Sequence, residues 1–276
     1  MKTIVSRTLS GAVFCAVVIC GLLWPFTSLA LTLAVTSLLS LEFFRIMAGR
    51  RYLKEMICVL VASLAVCTFT FLHLYCGLSV KYLLLSVLPL LLGFAFMLFD
   101  CCDDYDFNTA VFFPVLYVAL PMSLLHFLTV TAPGEYCGYL MICLLIMIWG
   151  NDTFAYLTGM AFGQRQGSRK LFPKISPKKS WVGFAGGTLS TFLIAWAVWA
   201  VWGSECMLLC HWMAVALIIS VAGVAGDLFE SLIKRHGKVK DASNLIPGHG
   251  GFLDRFDDVL FVVPAVVVYI KLLSIF

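Results

Sequence analysis

The sequence predicts an all-α fold, a polytopic membrane helical bundle, and three observations predict it. Of 276 residues, 62% are hydrophobic and 12% charged, where soluble domains carry roughly a quarter charged. Mean hydropathy is +0.99, more apolar surface than a soluble core can hide, so the bilayer serves as solvent for most of the chain. The apolar residues run continuously and do not alternate, which disfavours a β-barrel.

Nine apolar runs meet or approach the length of a span, about 20 residues. They lie at roughly 8–25, 27–48, 56–76, 80–99, 109–130, 138–158, 181–202, 211–233 and 257–275. The first follows Lys2 and Arg7 like a signal peptide. No small-x-small cleavage site follows it, and Trp24-Pro25-Phe26 leads straight into the next run. A retained helix is the expectation. With the N-terminus cytoplasmic, every Lys and Arg except Lys81 and Lys271 falls on the cytoplasmic side, as the positive-inside rule requires. The net charge of +4 then reflects basic loops beside a membrane and implies no nucleic-acid partner.

Within a single integral-membrane domain, 1–276, residues 1–150 read mainly as scaffold spans. Residues 151–276 read as catalytic spans and cytoplasmic loops. Glu42 and Arg45 stand one turn apart and are expected to pair. Asp100, Asp103, Asp104 and Asp106 crowd one loop, but not at EF-hand spacing, so a solvated acidic loop is expected. The eleven cysteines form no CxxC pair and read as small packing residues. His73 and His126 read as satisfied core or interface residues.

Past residue 150 the polar content changes. Asn151 and Asp152 interrupt the sixth apolar run, and Asp152 shares a helical face with Tyr156 and Gly159. A loop carrying Arg165, Arg169, Lys170, Lys174, Lys178 and Lys179 follows, without an acid. Ser176-Pro177-Lys178-Lys179-Ser180 opens the seventh span. A serine can cap such a helix, whose free N–H groups favour anions, so this is a candidate phosphate site. Gly183, Gly186 and Gly187 permit close helix contact.

On the eighth span, Asp227, Glu230, Ser231 and Lys234 fall at i, i+3, i+4 and i+7, with Gly223 and Gly226 leaving room. Carboxylates at that depth need a partner, a cation or water. An intramembrane pair such as Glu230 with Lys234 also meets that need. The stretch SLIKRHGKVKDASNLIPGHGGFLDRFDD then runs from Ser231 to Asp258.

The inventory is hard oxygen ligands (Asp152, Asp227, Asp254, Asp257), many cations and flexible glycines. It lacks a His/Cys set for zinc and suits Mg²⁺ bridging carboxylates and phosphates. Phosphoryl or nucleotidyl transfer relies on positioning and charge stabilisation, which this set supplies. GxxxxGK[ST] and GxGxxG are absent, and no nucleophile elbow supports Ser-His-Asp hydrolysis.

Ser231, Lys234, Arg235, Lys240, Asp241, Pro247, His249, Gly250, Gly251, Asp254, Arg255 and Asp257 match the signature pattern S-x-hydrophobic-K-R, K-D, P-x-H-G-G-x-x-D-R-x-D. That pattern resembles the phosphatidate cytidylyltransferase (CDP-diacylglycerol synthase) family. The blocks NDTFAYLTGMAFG and ISPKKSWVG resemble it too. Val182 departs from it, since relatives often carry Glu or Gln there.

The resemblance implies transfer of a cytidylyl group from CTP to phosphatidate, giving CDP-diacylglycerol and pyrophosphate. It implies Mg²⁺, often with a second, monovalent cation such as K⁺. It also implies a multi-pass protein of the cell membrane with its active site at the cytoplasmic face, and a homodimer is compatible with it. Carried onto this chain, Asp227 and Asp254 are the metal carboxylates and Asp257 supports them. Lys234, Arg235, Lys240 and Arg255 hold phosphates, as do Lys178 and Lys179 beside Ser176. Asp241 and Asp152 complete the substrate-binding set, and His249 orients a phosphate oxygen or stabilises its turn. A CTP-dependent polyprenol or phytol kinase would use the same parts. An ion-coupled transporter is the reading from another class, but no internal repeat or matched broken helices support it.

Overall fold

The computed structural model describes residues 2–48, 53–99, 113–163, 169–173, 175–203, 206–243, 245–246 and 250–273. The acidic loop at Asp100–Asp106, Arg165, Lys174, Pro247, Gly248 and His249 lie outside the described residues. Among the described residues, six helical segments are long and apolar enough to cross a membrane: Pro25–Met47, Leu53–Cys76, Val80–Met97, Tyr139–Ala161, Trp181–Gly203 and Leu209–His236. Thr8–Gly21 and Val115–Thr129 are shorter apolar helices. The chain is thus an all-α multi-pass membrane protein. It divides into two compact units, Met1–Leu140 with Ile233–Phe256, and Met141–Leu232 with Asp257–Phe276.

In the first unit, α1 (Lys2–Gly21) and α2 (Pro25–Ala48) meet at a short break. Pro25 opens α2 where a missing N–H is harmless. Helix α3 (Leu53–Cys76) stops at Gly77, whose φ of 69° suits a helix-ending glycine. A 3₁₀ turn, Val80–Ser86, leads into α4 (Val87–Phe99), and Pro89 has no N–H to offer the turn before it. Pro114 and Pro121 accompany an irregular stretch of a π turn, Val115–Ala119, then α5 (Leu120–Leu124) and α6 (His126–Thr129).

A hairpin that apolar periodicity did not announce follows, β1 (Val130–Ala132) with β2 (Glu135–Tyr136), closed by Gly134 at φ 80°. Tyr136 Oη donates to Leu22 O at 2.8 Å and ties it to the first break. Leu39, Phe43, Ala62, Cys67, Phe71, Ala119 and Leu128 form the core. His73 is satisfied by the Leu78 carbonyl at 2.7 Å. His126 departs from expectation: it is buried edge-on against Phe71, and neither ring nitrogen has a hydrogen-bond partner among the described residues.

The second unit contains most of α7 (Tyr139–Ala161), α8 (Trp181–Val198), most of α9 (Leu209–His236) and all but the first residues of α10 (Leu253–Leu272). A second hairpin, β3 (Lys170–Phe172) with β4 (Ser176–Ser180), shapes part of the cationic loop. Glycines set how closely helices approach. A Cβ on Gly187 would stand 2.8 Å from the Ala155 Cβ, and one on Gly183 would stand 2.9 Å from the Ala155 carbonyl. Asn151 Oδ1 accepts from Thr191 at 3.0 Å and from Ser220 at 3.4 Å, joining α7, α8 and α9. Such bonds between membrane helices average about 0.6 kcal/mol each, so close packing carries much of the association. Leu189, Leu193 and Trp196 form an exposed stripe on α8 at near-helical spacing, as a lipid-facing side requires.

Helix α10 begins at Leu253 and not at 257. Asp254, Arg255, Asp257 and Asp258 therefore belong to its first turns and not to a loop. An acidic first turn suits the positive end of the helix dipole.

Candidate functional site

In the second unit, Asp227, Glu230 and Asp257 each offer a carboxylate oxygen within 4.8 Å of the others. Asp227 and Glu230 share a face of α9, and Asp257 comes from α10. Gly226 makes this approach possible, because a Cβ there would collide with the Asp257 carbonyl. Lys179 Nζ is 2.5 Å from Asp227 Oδ2, and Ser231 Oγ donates to Asp227 Oδ1 at 3.4 Å. Buried Asp258 lies among the carboxyls of Asp257, Asp152 and Asp227.

This concentration of acids is costly without a cation. A magnesium ion with ligands at roughly 2.0–2.1 Å keeps its oxygens within about 4.2 Å of one another. Closing a 4.8 Å spread to that distance takes a small side-chain adjustment. The oxygen-only donor set fits a hard divalent cation.

The cations nearby are not equivalent. Successive residues of a strand face opposite ways. On β4, half-buried Lys179 engages Asp227, while Lys178 is exposed and half-buried Ser176 is paired with Phe172. Ser180 caps α8 as the sequence suggests, its Oγ accepting from Gly183 N at 3.1 Å.

In the first unit, Lys234 Nζ donates to Asp254 Oδ1 at 2.7 Å, with side chains 15% and 10% exposed. Asp254 Oδ2 accepts from Ala242 N at 3.1 Å and Gly251 N at 2.8 Å. The loop between α9 and α10 is thus closed on itself by one carboxylate. Its start is a Schellman motif: Val239 N bonds to Lys234 O at 2.9 Å and Lys238 N to Arg235 O at 3.1 Å. The left-handed position is taken by Lys238, at φ 54°. Gly237 serves packing, since a Cβ there would strike Ile46 of α2. Arg235, Lys240, Asp241 and Arg255 are exposed.

These are the signature residues, and the chain matches the Cytidylyltransferase family over residues 2–273. It belongs to that family. Among curated relatives, the Phosphatidate cytidylyltransferase of Bacillus subtilis is 34% identical over 172 residues, 62% of each chain. That of Haemophilus influenzae is 42% identical over 130 residues, 46% of this chain and 43% of the relative. That of Staphylococcus epidermidis is 36% identical over 162 residues, 59% of each. The matched part covers at most 62% of these relatives' length.

Three acids of this family member gain positions that sequence reasoning did not give them. Glu230 joins the carboxylate cluster, which its i+3 spacing from Asp227 could have suggested. Asp258 sits beside Asp152, a pairing without a local signal. Glu42 does not pair with Arg45; it accepts from Phe252 N at 3.1 Å and Leu253 N at 2.7 Å.

Proposed function

We propose that this chain transfers the cytidylyl group of CTP to phosphatidate, forming CDP-diacylglycerol and pyrophosphate for phospholipid synthesis. The observation that carries the reading is the cluster of Asp227, Glu230 and Asp257, which brings the signature residue Asp257 against two carboxylates of α9 in a member of the Cytidylyltransferase family. In the reaction, a phosphatidate phosphate oxygen bonds to the α-phosphorus of CTP as the bond from that phosphorus to the β-phosphate bridge breaks. The nucleophile carries about −1.5 to −2 charge at neutral pH, so no strong general base is needed. The obstacle is repulsion between two anions.

Asp227, Glu230 and Asp257 would hold Mg²⁺, which supplies charge neutralisation and orientation of the phosphates. Asp254, a metal carboxylate by its motif position, has a second task in holding Lys234 and the loop. Lys178, Arg235, Lys240 and Arg255 neutralise phosphate charge, and His249 orients a phosphate or pyrophosphate oxygen. Lys179 guards Asp227. A second, monovalent cation such as K⁺ belongs to the same proposal.

So do nine spans, a cytoplasmic N-terminus, a site on the cytoplasmic face of the cell membrane and a homodimer. The one-sided distribution of Lys and Arg supports the orientation. The test is purified protein with phosphatidate, labelled CTP and Mg²⁺, following lipid product and pyrophosphate together. CDP-diacylglycerol and pyrophosphate in equal amounts are expected. Release of CDP with a phosphorylated lipid alcohol would replace this reading with a kinase.

A further inference from the structure

We infer that Glu42, on α2, is a positioning residue for the signature loop, a role that rests on the proposed cytidylyl transfer for its catalytic consequence. Glu42 is 1% exposed, and among the described residues its carboxylate's partners come from the loop and the start of α10. Oε1 accepts from Phe252 N at 3.1 Å and from Ser243 Oγ, and Oε2 accepts from Leu253 N at 2.7 Å. Arg45, one turn along α2, is exposed and is not among its partners.

The first N–H groups of a helix have no partner inside it. In most helices a nearby Ser, Thr, Asp or Asn supplies one. Asp254 does so for Gly251 N at 2.8 Å, and its oxygens otherwise serve Lys234 and Ala242 N. Glu42 takes the next two amides from a helix far away in sequence. Together the carboxylates bind three consecutive amides, Gly251 to Leu253, and also grip the other limb of the loop at Ala242 and Ser243.

The same geometry gives the second motif glycine a reason. Gly250 needs its φ of 83°, which favours glycine. Gly251 has no such need; a Cβ there would stand 2.8 Å from Glu42 Oε2 and 2.9 Å from Oε1. The glycine is the space into which the acid fits. Lys240 and Asp241 lie immediately before the gripped residues, and Arg255 immediately after Asp254. Glu42 therefore fixes the side chains proposed to meet CTP without touching CTP itself.

Glu42→Gln tests this in lipid nanodiscs. Glutamine keeps the shape but has one acceptor oxygen, and its NH₂ would face an amide donor. The expected result is a CTP KM raised about tenfold and a lowered kcat, in line with the cost of small misplacements at reaction sites. Amide exchange at Phe252 and Leu253 should also be faster by about tenfold. Ser243→Ala, a milder change, is expected to raise the CTP KM about twofold.

A purely structural role would lower the folded fraction and hence the apparent kcat, leaving the CTP KM unchanged. That outcome, or unchanged exchange at 252–253, overturns the inference. If wild-type protein makes no CDP-lipid, the proposed function fails, and the exchange measurement alone decides whether Glu42 positions the loop.

Discussion

The two units use carboxylates in opposite ways. In the first, Glu42 and Asp254 direct their oxygens at backbone amides, a serine hydroxyl and Lys234. In the second, Asp227, Glu230 and Asp257 turn toward one another, with Asp152 and Asp258 close by. Satisfied carboxylates rigidify a loop. Crowded ones repel one another at a cost in stability, as functional sites commonly do. The contrast separates acids spent on backbone amides from acids gathered on one another.

That contrast can be broken by neutralising each set in turn. The largest effect is expected on activity from Asp227→Asn and Asp257→Asn, a loss of about 10³-fold in CDP-lipid formation. For Asp257→Asn, thermal unfolding in detergent should show stability within about 0.5 kcal/mol of wild type or above it, because repulsion is relieved. Asp227→Asn also gives up the pair with half-buried Lys179 and should be less stable than Asp257→Asn. A large destabilisation by Asp257→Asn would place Asp257 with the amide-binding set. Lys234→Met should instead cost about 3 kcal/mol of stability, since it strands Asp254 with an unpaired, mostly buried charge. Equal stability would show that the Lys234–Asp254 pair does not hold the loop. If Asp254→Asn, compared at matched folded fraction, also shifts the Mg²⁺ dependence of turnover, Asp254 belongs to both sets.

Gly226→Ala is smaller. Its new methyl meets the Asp257 carbonyl, and overpacking of this kind costs about 1–3 kcal/mol. Activity should fall further than stability, because Asp257 is pushed from Asp227 and Glu230; proportionate losses would deny that link. Least of all, Lys238→Gly should stabilise by about 0.5 kcal/mol, read from the unfolding midpoint, by relieving a left-handed lysine. Destabilisation would mean that the Lys238 side chain contributes contacts of its own.

Much of the layout was legible because a membrane helix announces itself by unbroken apolar length. Leu53–Cys76, Tyr139–Ala161 and Leu209–His236 lie close to the expected spans. The two hairpins were not legible, since strands of two to five residues are too short to establish a period. The early start of α10 was hidden because Asp254, Arg255, Asp257 and Asp258 are as polar as a loop, although acids suit a helix's first turn.

At the site, Asp227, Ser231 and Lys234 were readable from helical spacing, and the motif residues from their pattern. The partnerships were less legible. Lys179 with Asp227, Asp152 with Asp258 and Glu42 with the α10 amides each join distant segments, and local spacing carries no information about them. Glu42 was the most concealed, because Arg45 one turn away offered a simpler partner.

Gly251 also bears on protein engineering. The loop between α9 and α10 looks portable, a compact string of charges and glycines that might be moved to another pair of helices. A transplant would carry the vacancy at Gly251 and leave behind the acid on α2 that fills it. Two amides at the head of the receiving helix would then stand open. The portable unit is the loop together with one turn of α2.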